Sequence, residues 1–118
     1  MITEDHVSFE IAKLLKEKGF EFNSCSTYYT LHGEVCEVGK SQEIGIAPRP
    51  TLQMAMKFLR EKHIVIVPEV ETFHADGSVS SWEYHIWCDD NYEEGQNSFS
   101  SYEEACEAAI RYCLENLI

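Results

Sequence analysis

Basic residues are scarce in this chain: 9 Lys and Arg stand against 21 Asp and Glu, a formal charge of −12 over 118 residues. The few cations are scattered singly among acids, with no basic cluster. Direct binding to nucleic acid, which draws its affinity from neutralised phosphates, is therefore not expected. An anionic membrane surface would be repelled as well. Long apolar runs are also missing, and none approaches the roughly 18 residues that a membrane-spanning helix needs. The opening MITEDHVSFE has neither the basic nor the apolar segment of a secretory signal, so a cytoplasmic location is expected. No CxxC pair occurs among Cys25, Cys36, Cys88, Cys106 and Cys113. Free thiols, mostly buried as small apolar groups, follow from that.

What is present suits one globular α+β domain spanning residues 1–118, with 44% hydrophobic residues. Residues 8–18 have the periodicity of a first helix, capped by Ser8 or Thr3, with Gly19 and Phe20 placed for a Schellman ending. Residues 26–32 read as a strand with Thr27, Tyr29 and Leu31 on one face, and 34–38 as a short second strand. The stretch 39–50, with two glycines and two prolines, reads as the longest loop. Pro50 and Thr51 open a second helix over 51–62, and His63 sits where a cation meets the negative end of its dipole. Ser100 or Ser101 starts a last helix over about 101–116, with Ser101 and Glu104 spaced as a capping box. The stretch 89–98, DDNYEEGQNS, reads as an acidic loop.

Between the last two helices lies a long hairpin, Ile64–Phe73 and Val79–Cys88, around Asp76-Gly77. A two-residue loop would mix polar and apolar side chains on each face. A three-residue loop, Ala75-Asp76-Gly77, pairs Ile64 with Cys88, Ile66 with Ile86, Pro68 with Tyr84 and Val70 with Trp82. That register predicts a type I turn with Gly77 left-handed in a bulge. It makes Ile64, Ile66, Val70, Trp82, Tyr84 and Ile86 a core face, and leaves Glu69, Glu71, Glu83 and His85 on the other. Pro68, with no N–H to give, belongs at an edge or a bulge. The predicted architecture is a small, mainly antiparallel sheet packed with helices, in the order α-β-(β)-α-β-β-α.

Residue spacing speaks against sites of familiar chemistry. Gly39-Lys40-Ser41 lacks the phosphate-loop spacing, and Glu34 and Glu37 would repel a phosphate. His74 and His85 lie far apart along the hairpin, and His85 and Cys88 point to opposite faces of one strand. Cys106 and Cys113 are too far apart along their helix for a disulfide or a shared zinc. Cys25 and Cys36, near His32, sit among acids that disfavour a thiolate. Asp89, Asp90, Glu93 and Glu94 do not match a calcium-binding loop. No catalytic residue, cofactor or metal site is expected. Instead, Val65, Val67 and Trp87 fall on the hairpin's second face among Glu69, Glu83, Asp89 and Asp90. Either the first helix or a partner must cover that apolar patch.

Three stretches, ITEDHVSFEIAKLLKEKGF, PTLQMAMKFLREKH and SYEEACEAAIRYCLENLI, together resemble a group of small phage, prophage and mobile-element proteins of gut bacteria. Phe58 stands where that group more often has Trp. The resemblance implies a genomic context, inside a bacterial host, and carries over no catalytic residue. The leading expectation is a non-enzymatic accessory protein acting through protein contacts with host, phage or itself. One version reads the acids of 67–71, 83 and 89–94 as a single ridge mimicking nucleic acid. The alternatives are an enzyme or small-ligand module, with a pocket near the 39–50 loop lined by Tyr29, His32 and Cys36, and a structural or oligomeric component.

Overall fold

Local chemistry sets the helix ends. In the computed structural model, which describes residues 4–21, 25–37 and 45–118, α1 runs Phe9–Glu17 and the Ser8 hydroxyl accepts from the Ile11 N–H. It closes as a Schellman turn: Gly19 has φ +99°, its N–H donates to the Lys16 carbonyl, and the Phe20 N–H donates to the Leu15 carbonyl. Helix α2, Leu52–Arg60, is capped by the Thr51 hydroxyl. Helix α3, Tyr102–Asn116, is capped by the Ser101 hydroxyl on the Glu104 N–H. The reciprocal arm of that cap differs from expectation. The Glu104 carboxylate reaches back to the N–H and hydroxyl of Ser100, one residue before the cap.

The strands are β1 (Thr27–Thr30), β2 (Val35–Glu37), β3 (Gly45–Pro48), β4 (Ile64–Phe73), β5 (Val79–Cys88) and β6 (Asn91–Phe99). They make two antiparallel three-stranded sheets, ordered β2-β1-β3 and β4-β5-β6. The α+β class holds. Four details differ from expectation. There are two sheets where one was expected. The end of the 39–50 loop contains strand β3, and the acidic 89–98 stretch is a two-residue turn followed by strand β6. Both segments are poor in alternating apolar residues, so backbone pairing to a neighbour, not pattern, makes them strands. β1 is also shorter than 26–32: Leu31 lies in the turn after it and is exposed, while Tyr28, Tyr29 and Thr30 are buried.

The hairpin register is the predicted one. Ile64 pairs with Cys88, Ile66 with Ile86, Pro68 with Tyr84 and Val70 with Trp82. The loop closes with the Gly77 N–H on the His74 carbonyl, 3.0 Å, and Gly77 at φ +90°. Asp76 Oδ1 accepts from the N–H and hydroxyl of Ser78, which hold its carboxyl below the usual carboxylate range. Pro68 lies on β4, an edge strand, where its missing donor leaves no gap in the ladder. The predicted core face is deepest near α3: Ile64, Tyr84 and Ile86 are buried, whereas Ile66, Val70 and Trp82 are half-buried. Toward the hairpin tip the strands run past the helix that covers them. Trp82 keeps an edge contact with Tyr102 at 5.4 Å.

Helix α3 is the shared element. Its Cys106, Ala109, Ile110, Cys113 and Leu114 join Val7, Ile11, Leu15, Leu59, Tyr84 and Ile86 in one buried cluster. Burial pushes the Cys106 thiol up to about 11 and Cys113 to about 12, the latter helped by neighbouring Cys88. Below the ordinary thiol value of 9.0 these groups are protonated folded or unfolded, so they add no pH dependence. Above it the unfolded chain ionises while the folded one does not, which favours unfolding. The urea midpoint should therefore fall as pH rises from about 9 toward 11 and 12. At neutral pH both thiols should resist iodoacetamide until denaturant is added. Early labelling of either would contradict this burial.

Candidate functional site

Among the described residues, helix α3 packs on one face of β4-β5-β6 and the other face is left bare. On the bare face the register builds rows across the strands. Val65 pairs with Trp87, which pairs with Tyr92; Val67 pairs with His85, which pairs with Gly95; Glu69 pairs with Glu83. Helix α1, one candidate cover, packs instead with β3 and α3. Val65, Val67, Trp87 and Tyr92 are consequently 40%, 38%, 43% and 51% exposed. Trp87 and Tyr92 meet edge to face, ring centroids 5.2 Å apart, a preferred aromatic geometry that holds the pair in place.

Asp89 and Asp90 sit at the end of this face, in the two-residue turn between Cys88 and Asn91. Their φ values are +49° and +71°. A tight hairpin turn requires such left-handed residues, and Asp tolerates the conformation better than most. The turn is anchored by the Asp89 N–H on the His63 carbonyl, 3.1 Å. Between turn and apolar row lies a cleft of about 510 Å³ lined by Arg60, His63, Val65, Trp87, Asp89 and Asp90. All seven surface residues singled out from sequence thus share one side of the sheet or its end.

Glu71 has a separate task. The register slips on either side of Thr72, and the Glu71 carboxylate accepts from the Ser81 hydroxyl at 3.0 Å and the Ser98 N–H at 2.7 Å. It ties β4 across β5 to β6. Glu94 lies on the α3 side, where its charge raises the Tyr84 and Tyr112 phenols beyond the effect of burial. Glu94 therefore stands on the opposite face of the sheet from Glu69 and Glu83.

The same outer face brings together a group that the sequence placed on one side without joining. His85 Nε2 is 3.0 Å from Glu69 Oε1 and 3.6 Å from Glu83 Oε1. Its other nitrogen, Nδ1, is 3.0 Å from the Tyr92 hydroxyl. Gly95 makes room for this contact, since a Cβ there would stand 2.1 Å from the Tyr92 oxygen and 3.0 Å from Nδ1. A second cleft, about 370 Å³, opens beside it between Glu83, His85, Tyr92, Gly95, Gln96 and Asn97. Comparison with protein-family models, curated proteins and solved structures finds no match to this chain.

The other site considered from sequence is not assembled as expected. Tyr29 points into the core, its hydroxyl donating to the Val7 carbonyl at 2.5 Å. It cannot also line a pocket with His32, which lies in the exposed turn after β1, and Cys36, which pairs with Tyr28. Burial raises the Cys25 thiol, against nucleophile chemistry there. Gly39-Lys40-Ser41 falls outside the described residues. Among the described residues no helix is long and apolar enough to cross a membrane.

Proposed function

We propose that this protein is a non-enzymatic binding module whose working surface is the bare face of β4-β5-β6. The observation that carries this reading is the row Val65, Trp87 and Tyr92, with Val67 beside it, left exposed on a sheet whose opposite face packs against α3. Apolar surface held in one rigid row, centred on an aromatic pair, is the composition of a protein-binding hot spot. The rim is acidic, with Glu69, Glu83, Asp89 and Asp90, and so is the whole chain at −12. The partner that fits is a protein presenting an apolar knob ringed by Lys and Arg. The likeness of the three helical stretches to phage and mobile-element proteins supports an accessory role inside a bacterial host.

Affinity capture with the tagged protein tests this. A specific partner should be retained by the native chain and by Phe73→Ala, which alters an exposed side chain at the hairpin tip. It should be lost with Trp87→Ala, and raised salt should weaken capture by slowing association. Retention by Trp87→Ala would show that this face is not the binding surface. Sedimentation of the native chain shows whether the occupant is instead a second copy.

A further inference from the structure

We propose that Glu69, Glu83 and His85 form a surface site for a divalent transition-metal cation of the zinc type. The three come from paired positions, Glu69 on β4 opposite Glu83 on β5, with His85 two residues along the same strand face. One donor atom from each lies within 4.8 Å of the others. Metal–ligand bonds of about 2.1 Å, meeting at tetrahedral to octahedral angles, hold neighbouring donors roughly 3.0–3.4 Å apart. The observed separations of 3.0 and 3.6 Å from His85 Nε2 bracket that spacing.

The surroundings favour ligation. The Tyr92 hydroxyl stands at Nδ1, where it can accept a hydrogen bond from Nδ1–H and leave the Nε2 lone pair facing the carboxylates. An outer partner on the second nitrogen is the usual way a ligating imidazole is oriented. Gly95 is the residue that permits it. Two carboxylates set directly opposite one another across strands repel, and a shared cation relieves the repulsion. An imidazole with two carboxylates suits zinc, cobalt or manganese better than calcium or magnesium, which prefer all-oxygen shells. Three protein ligands on a solvent-facing sheet leave coordination positions for water or for a donor from another molecule. The site stands without the docking surface proposed above, because its geometry is complete within this chain.

Titration of the native protein with Co²⁺, followed by visible absorption, and with Zn²⁺, followed by calorimetry, tests it. One ion should bind per chain, with no thiolate-to-cobalt charge-transfer band. His85→Gln should weaken binding at least about tenfold, Glu83→Gln likewise, and Tyr92→Phe by up to a similar factor through the lost orientation. Zn²⁺ should shift the Nε2 resonance of His85 in the native protein and not those of His32, His63 or His74, a readout independent of any variant's folding. Undiminished binding by a folded His85→Gln, a thiolate band, or no binding at millimolar ion would overturn the proposal. The last outcome would leave His85 and the two carboxylates as a surface polar contact only.

Discussion

Ile86→Ala should lower stability by about 3 kcal/mol, and the melting temperature by roughly 10–15 °C for a chain of this size. Val67→Ala, on the same hairpin, should cost under about 1 kcal/mol. The two residues differ by one step in the pleat. Ile86 is fully buried against α3 and opposite Ile66, so its truncation leaves a cavity within a cluster that holds Tyr84, Ile110 and Leu114. Val67 is opposite His85 on the bare face, and alanine there leaves only a shallower surface. Thermal and urea denaturation of the two variants measure the difference. Equal losses would mean that the second face is covered in the isolated protein, against the burial described here.

Gly45→Ala should also destabilise markedly, by about 2 kcal/mol. The strand β3 shifts register against β1 between Tyr29 and Thr30, so that Gly45 pairs with Thr30 while Ala47 pairs with Tyr29. The shift lays the Tyr28 ring over Gly45. A Cβ at Gly45 would stand 2.3 Å from Cδ2 and 2.7 Å from Cγ of that ring. The ring is buried, and its Cγ lies near the backbone, so it cannot swing aside as an exposed side-chain tip could. Reduced entropy of the unfolded chain offsets only about 0.4–1 kcal/mol of the strain. Gly95→Ala makes the useful contrast. Its first clash is with the exposed hydroxyl end of Tyr92, which can move into solvent. That variant should melt close to the native protein while losing the Tyr92–His85 contact. A melting temperature for Gly45→Ala within a degree or two of native would refute the packing of Tyr28 on this strand.

Most of the framework was legible residue by residue. Ser8 and Ser101 act as caps because a hydroxyl three residues before a free N–H is a local matter, settled within one turn; Thr51, expected inside the second helix, caps it for the same reason. Gly19 with Phe20 is legible for the same reason. The β4–β5 register followed from two local facts, the Asp76-Gly77 turn and the alternation of apolar residues, since a slip of one residue would expose Ile64, Ile66 and Ile86 together. From that register Glu69, Glu83 and His85 could be placed on one face. Their convergence could not, because it depends on side-chain directions fixed by Tyr92 from a strand that the sequence does not announce.

That strand, β6, marks the boundary between the two kinds of information. Asn91–Phe99 carries few apolar residues, and its composition is that of a solvated loop; only the free edge of β5 makes it a strand. The same holds for Gly45–Pro48 beside β1. The sequence by itself determined the helices, their ends and the two-faced hairpin, because caps, turns and periodicity act between near neighbours. The tertiary structure alone decided that there are two sheets, that α3 and not α1 lies against the hairpin, and that Tyr92 completes both the aromatic row and the His85 group. Those outcomes rest on contacts between segments distant in the chain, and no short stretch encodes which long-range partner will be nearest.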